Sequence, residues 1–121
     1  MHDVIASLQG GLIVSCQARP GWPLRSSMIM AAMARAAQAG GACGIRADAP
    51  EDITAIREAV SLPIIGLWKQ EIPDYEVYIT PTLAAAEALA QAGADIVAID
   101  ATDRPHPEGR STAELITAIH R

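Results

Sequence analysis

Long apolar runs, basic patches, paired cysteines and nucleotide-binding glycine signatures are all missing from this sequence, and each absence removes a class of function. No stretch of 18 or more apolar residues occurs in the 121 residues, so nothing reads as a membrane-spanning helix. Asp3 and Gln9 bracket only a short mixed segment, without the basic-then-apolar order of a secretory signal, and a cytoplasmic chain is expected. Cys16 and Cys43 have neither metal-ligand spacing nor secretory context, so buried free thiols are expected, with no disulfide and no metal. The net charge is −5, and no basic patch is present of the kind that a nucleic-acid or membrane-surface partner requires. Gly40, Gly41 and Gly44 end a helix and enter a strand, the reverse of a dinucleotide fingerprint, and there is no P-loop.

What is present is alternation. Half of the residues are apolar, enough for one domain over 1–121 with its own core. Four apolar runs read as strands: Leu12 to Gln17, Ala42 to Arg46, Ile64 to Lys69 and Asp95 to Asp100. Four helix-like segments separate and follow them. The first runs from Leu24 to Ala39 and stops at Gly40-Gly41; the second opens at Pro50 with Glu51 and Asp52 at its positive dipole end. Ile53, Ile56 and Val60 line the inner face of the second helix. After the extended piece Val77-Tyr78-Ile79, Thr80-Pro81-Thr82 opens a third helix from about Leu83 to Ala92, ended by Gly93. Ser111 and Glu114 fit a capping box for the fourth, whose stripe of Leu115, Ile116 and Ile119 reaches Arg121 without a stop signal.

This pattern predicts an α/β chain of the parallel (β/α) TIM-barrel type with about four βα units, the N-terminal half of a (β/α)8 barrel. A closed barrel needs eight units in typically about 250 residues. Four strands alone leave two edges unpaired, so a homo-oligomer, or pairing with the missing half barrel, is expected. A small open doubly wound sheet is the competing architecture.

In either architecture ligands bind beyond the carboxyl ends of the strands. The last residues of the four runs, Gln17, Arg46, Lys69 and Asp100, are polar and by period-two alternation share one face with Ser15, Gly44, Leu67 and Ala98. Cys16, Ile45, Trp68 and Ile99 take the helix-facing side. Any one polar residue at a strand end can simply mark where the core stops; four in register point to one pocket in the barrel mouth. An isolated lysine is almost wholly protonated at neutral pH. Proximity to Arg46 and partial burial would favour a neutral, basic amine, while Asp100 would oppose that effect, orient a substrate, or hold Arg46. Arg104 lies in a loop where it can reach an anionic group or stay solvated. His2, His106 and His120 read as surface residues, Met28, Met30 and Met33 as core fillers, and Trp22 as a cover over the mouth.

The segments Gly11 to Gln17, Gly44-Ile45-Arg46-Ala47, Leu62 to Gly66 with Lys69, Val77 to Thr82 and Asp100-Ala101-Thr102 resemble N-acetylmannosamine-6-phosphate 2-epimerases in order and spacing across nearly the whole chain. The resemblance implies a cytoplasmic, cofactor-independent barrel isomerase of amino sugar metabolism and sialic acid catabolism. Its substrate would be a phosphorylated N-acyl amino sugar, interconverted between N-acetylmannosamine 6-phosphate and N-acetylglucosamine 6-phosphate. It implies a catalytic role for Lys69 and sugar-site positions for Gln17, Arg46 and Asp100. The family's catalytic glutamate and phosphate cradle lie in the second half of the barrel and have no counterpart here; Trp68 and the loop from Gln70 to Tyr75 are less typical. Two other readings stand beside it: a half-barrel binding or assembly module without turnover, and another phosphosugar isomerase or aldolase on the same fold.

Overall fold

Four parallel strands stand side by side in sequence order in the computed structural model, which describes residues 3–121. They are β1 (Ile13–Cys16), β2 (Gly44–Asp48), β3 (Ile64–Leu67) and β4 (Ile96–Val97). A short α1 (Asp3–Ser7) precedes them, and α2 (Ser27–Ala39), α3 (Pro50–Ala59), α4 (Leu83–Ala92) and α5 (Thr112–Ile119) follow each strand in turn. The order β1-β2-β3-β4 never reverses. A doubly wound sheet requires a reversal and a barrel does not, so the chain is of the (β/α) barrel type, with four βα units. His2 lies outside the described residues. Among the described residues no helix is long and apolar enough to cross a membrane.

The helices begin and end where side chains satisfy their free backbone groups. Ser26 accepts from the Ile29 amide at 3.3 Å and so starts α2 at Ser27, three residues later than the sequence pattern suggests. The Pro23–Arg25 stretch is instead part of a turn in which the Arg25 amide donates to the Trp22 carbonyl. Thr82 caps α4 through the Ala85 amide (3.1 Å), and Glu108 reaches across to the Leu83 amide (2.8 Å). Ser111 accepts from the Glu114 amide (3.1 Å). The return arm of this capping box differs from expectation, because Glu114 accepts from the Ser111 hydroxyl (3.2 Å) rather than from its backbone.

The core lies between the sheet and α2, α3 and α4. Cys16, Ile45, Ala47 and Ile64 from the strands meet Met30, Ala34, Ile53, Ile56 and Leu89 from the helices, all solvent-excluded, with Trp68 and Val97 packed against them. Each large aliphatic side chain removed from water here contributes roughly 1.5–3 kcal/mol. Burial pushes the Cys16 thiol up from its ordinary pKa, while Cys43 is only half-buried; both thiols are free. Met28 departs from the core-filling expectation. It is 76% exposed, because the buried stripe of α2 passes through Met30 and Ala34 and leaves Met28 on the opposite side. Ile99 also lies outside this cluster, in a cleft with Ile116 and Ile119 beside α5. His120 is exposed as expected, but His106 is 2% exposed, with no partner for either ring nitrogen among the described residues.

The strand bounds also differ from the pattern: β1 and β3 stop at Cys16 and Leu67, short of Gln17 and Lys69, and β2 begins at Gly44 rather than Ala42. β2 continues two residues past Arg46 to Asp48. β4 is confined to Ile96–Val97, with ladder bonds from Asp95 to Ile64 and from Ala98 to Gly66 at its ends. Beyond Ala98 the chain leaves β3, and the Asp100 amide turns to the Ile79 carbonyl.

At the amino end of the sheet one arginine joins three segments. Arg57 of α3 donates to the Val60 and Leu62 carbonyls (3.1 and 2.6 Å), to Gly93 (3.4 Å) and to Asp95 (2.9 Å), and Asp95 in turn accepts from the Ile64 amide (2.9 Å). Gly93 ends α4 at φ +116°, and a Cβ there would stand 2.9 Å from Cγ of Arg57. Gly93→Ala therefore meets backbone strain and a side chain held by four acceptors. It is expected to lower stability by roughly 2 kcal/mol or more, read as a fall in the urea midpoint at unchanged slope.

Candidate active site

The carboxyl ends of β1, β2 and β3 enclose a pocket of about 190 Å³ lined by Ser15, Gln17, Ala18, Arg19, Trp22, Arg46, Asp48 and Lys69. The pairing register explains how. Ser15 stands opposite Arg46, Arg46 opposite Ile65, and Ile65 opposite Ile96. Parallel partners point the same way, so these residues form one layer of the inner face. Asp48 opposite Leu67 begins the next layer. Lys69 lies four residues beyond the partner of Arg46, so the strand-end residues are staggered rather than level. The long side chains of Arg46 and Lys69 nevertheless reach the same pocket.

Lys69 is held at both its backbone and its amine. Its amide donates to Asp48 Oδ1 at 2.9 Å. On its other side the segment from Val77 to Thr80 pairs antiparallel with it: Lys69 bridges to Ile79, the Gln70 amide donates to Tyr78, and the Thr80 amide donates to Trp68 (2.7 Å each). Thr80 also accepts from the Trp68 amide through Oγ1 at 3.1 Å. The lysine Nζ then donates to Gln17 Oε1 at 2.8 Å, while Gln17 Nε2 donates to Ser15 Oγ at 3.0 Å. A carboxamide oxygen is a neutral acceptor, so it aims the amine through a hydrogen bond without an ion pair. Arg46 is half-buried and has no acceptor among the described residues, which leaves its guanidinium open to a ligand oxygen.

Asp100 is placed differently. Its Oδ2 accepts from the Tyr78 and Ile79 amides at 2.8 and 2.9 Å, so it fastens the 77–80 strap from the β4 side. It is outside the lining of the Lys69 pocket, and no hydrogen bond or ion pair joins it to Lys69 or Arg46 among the described residues. Arg104 pairs with Glu76 at 3.0 Å, both well exposed, and lines a separate small cleft with Tyr75. Trp22 is 56% exposed and lines the pocket from the first loop.

Three features of the site escape a reading of the runs. Asp48 was reachable, since alternation carried two residues past Arg46 puts it on the same face. Arg19 carries no pattern that marks it. Arg25 and Asp52 form a pair no local signal announces. Asp52, read as a helix-dipole acid, is 1% exposed; Arg25 binds it through both terminal nitrogens, and Ser27 donates to it at 2.6 Å. The hydrogen bond to Asp52 raises the Arg25 pKa above its ordinary value against the opposing effect of burial. Its charge is therefore fixed throughout any working pH range. Among the described residues no cluster of three His, Cys, Asp or Glu side chains could hold a metal ion.

Comparison with known proteins gives a consistent picture. Residues 30–121 match the family model described as "Putative N-acetylmannosamine-6-phosphate epimerase". A curated relative from Caldanaerobacter subterraneus subsp. tengcongensis, named "Putative N-acetylmannosamine-6-phosphate 2-epimerase", is 53% identical over 97% of this chain and 49% of its own. One of the same name from Thermosynechococcus vestitus is 52% identical over 98% and 51%. The solved structure of the N-acetylmannosamine-6-phosphate 2-epimerase from Clostridium perfringens superposes with a TM-score of 0.93 at 44% identity, covering 98% of this chain and 52% of that one. The chain thus spans about half the length of the relatives it matches.

The contact from Asp48 to the Lys69 amide is charge-assisted and half-buried. Asp48→Ala is expected to cost about 1.5–3 kcal/mol. It should also speed hydrogen exchange at the Lys69 amide by at least about tenfold relative to the Ile45 and Ile64 amides, a ratio that separates local release from global destabilisation.

Proposed function

Because the chain belongs to the N-acetylmannosamine-6-phosphate epimerase family, we propose that it acts in the interconversion of N-acetylmannosamine 6-phosphate and N-acetylglucosamine 6-phosphate by proton transfer at C2. The observation that carries this reading is the 2.8 Å contact between Lys69 Nζ and Gln17 Oε1 in a pocket shared with Arg46, which has no acceptor among the described residues. C2 of the open-chain sugar is α to the C1 carbonyl. Lys69 takes its proton, the C–H electron pair moves into a C1–C2 enolate whose negative charge rests on the C1 oxygen, and return of a proton to the opposite face inverts the centre. Arg46 stabilises the oxyanion that develops at the carbonyl oxygen. Gln17 keeps the amine aimed, and Asp100 acts from behind by holding the strap that braces Lys69 or, as the resemblance implies, at the sugar itself. Arg104 stands further out as a reserve anion contact.

In this proposal the chain forms the N-terminal half of a (β/α)8 barrel, acts in the cytoplasm without a cofactor, and meets a second set of βα units from a copy of itself or from a completing half barrel. The exposed inner-face residues Ile13 and Ser15 are what that second half would cover. Relatives named as epimerases favour turnover over a purely binding or assembly role.

Incubation of the protein with N-acetylmannosamine 6-phosphate in heavy water should place deuterium at C2. Lys69→Ala should slow this exchange by roughly 10²–10⁴-fold, and Lys69→Arg should not restore it. Exchange that survives Lys69→Ala at the native rate would remove the lysine from the chemistry.

A further inference from the structure

Both partners of the Lys69–Gln17 contact trace back to one short stretch of backbone, residues 48–53. On the lysine side, Asp48 Oδ1 accepts from the Lys69 amide at 2.9 Å. On the glutamine side, Arg25 Nη1 donates to the Ala18 carbonyl, next to Gln17, at 2.9 Å and to Asp52 Oδ2 at 2.8 Å. Between Asp48 and Asp52 the backbone is fixed by the Ala49 amide on the Leu67 carbonyl (2.8 Å) and the Ile53 amide on the Ala49 carbonyl (3.1 Å). The loop from Gln17 to Ser26 is folded on itself by the Trp22 amide on Arg19 and the Arg25 amide on Trp22, 3.0 Å each. Its only side-chain anchor to α3 among the described residues is Arg25.

We propose that Arg25 and Asp52 are positioning residues for Lys69, setting the Gln17 carboxamide against its amine by referencing the first loop to the segment that holds the lysine backbone. This rests on the proton-transfer reading above, and the geometry gives the pair a reason to exist. A buried carboxylate with three donors is a poor device for stability, because desolvation offsets most of the attraction. A bidentate arginine is, however, a rigid spacer that fixes both distance and angle. Misplacing a reacting group by about 1 Å costs on the order of 100-fold in rate, so a spacer of this kind belongs where an amine must be aimed.

The test uses Arg25→Lys, which keeps the charge and loses the fork, and Ser27→Ala, which removes one of the three donors while leaving the ion pair. Two measurements are made on the whole protein. In C2 exchange kinetics, Arg25→Lys should lower kcat by about tenfold or more with KM within about twofold, and Ser27→Ala should lower it less. Independently of turnover, the side-chain amide NMR signals of Gln17 shift when Lys69 is changed to Met. That shift should shrink by at least half in the Arg25→Lys background, and in the Ser27→Ala background should the first variant not fold. A full Gln17 response with native kcat in a folded Arg25→Lys or Ser27→Ala protein overturns the proposal. A Gln17 response that depends on Arg25 in a protein showing no C2 exchange would uphold the positioning role and remove the epimerase reading instead.

Discussion

A lysine amine at the end of a strand is useful only if it points at the same place every time, and here a neutral acceptor does the pointing. The Gln17 carboxamide takes one hydrogen from Lys69 and gives one to Ser15, which sets the amide's orientation as well as the lysine's. A carboxylate in the same position would instead form an ion pair with the amine. Two acids around this segment are directed to backbone: Asp48 to the Lys69 amide, Asp100 to the strap at Tyr78 and Ile79. Both carboxylates are thereby engaged by N–H groups, and among the described residues the guanidiniums of Arg46 and Arg19 in the pocket have no acceptor.

The backbone around the lysine is strained in keeping with that demand. Ala49 and Thr80 both have positive φ (75° and 48°) without being glycine, and a β-branched residue in that region is costly. Both sit where a hydrogen-bonded path turns: Ala49 between the end of β2 and the start of α3, Thr80 between the strap and the Thr82 cap of α4. Thr80 is fully buried and bonds Trp68 in both directions, through its amide and its hydroxyl. That double contact holds the unfavourable turn in place and leaves Lys69 between two braced neighbours.

How much of this could be read from the residues depended on the range of the forces involved. α4 matched its expected bounds because both of its signals, the Thr82 cap and the left-handed Gly93, are local. The alternation of strand and helix marked a covered parallel sheet for the same reason but left barrel and doubly wound sheet both open, a choice made only by the strand order; the helix-facing set of Cys16, Ile45 and Trp68 followed from period two. The level of each strand end was not readable, because register is set by pairing between strands and not along them. Arg46 therefore lies opposite Ile65. Asp100 has the character of a strand-end acid but binds the strap, and burial of His106 depends on how the 101–110 loop folds back, which no periodicity encodes. The Arg25–Asp52 pair spans 27 positions and has no local trace.

Arg57 and Arg25 each join several segments of the described residues, and their positions divide the labour of the structure. Arg57 gathers the turns at the amino end of the sheet, where backbone carbonyls are its main acceptors. Its one carboxylate partner among the described residues, Asp95, is itself partly exposed, as is the Arg57 side chain. Arg25 works at the carboxyl end on a carboxylate that is sealed from water. Partial hydration makes the first arrangement inexpensive to form and tolerant of movement, as a stabilising clasp can be. Desolvation makes the second stiff, with little net gain in stability for its burial. In a barrel whose amino face bears stability and whose carboxyl face bears chemistry, the stiff buried pair stands on the side where an error in distance is felt at a reacting atom.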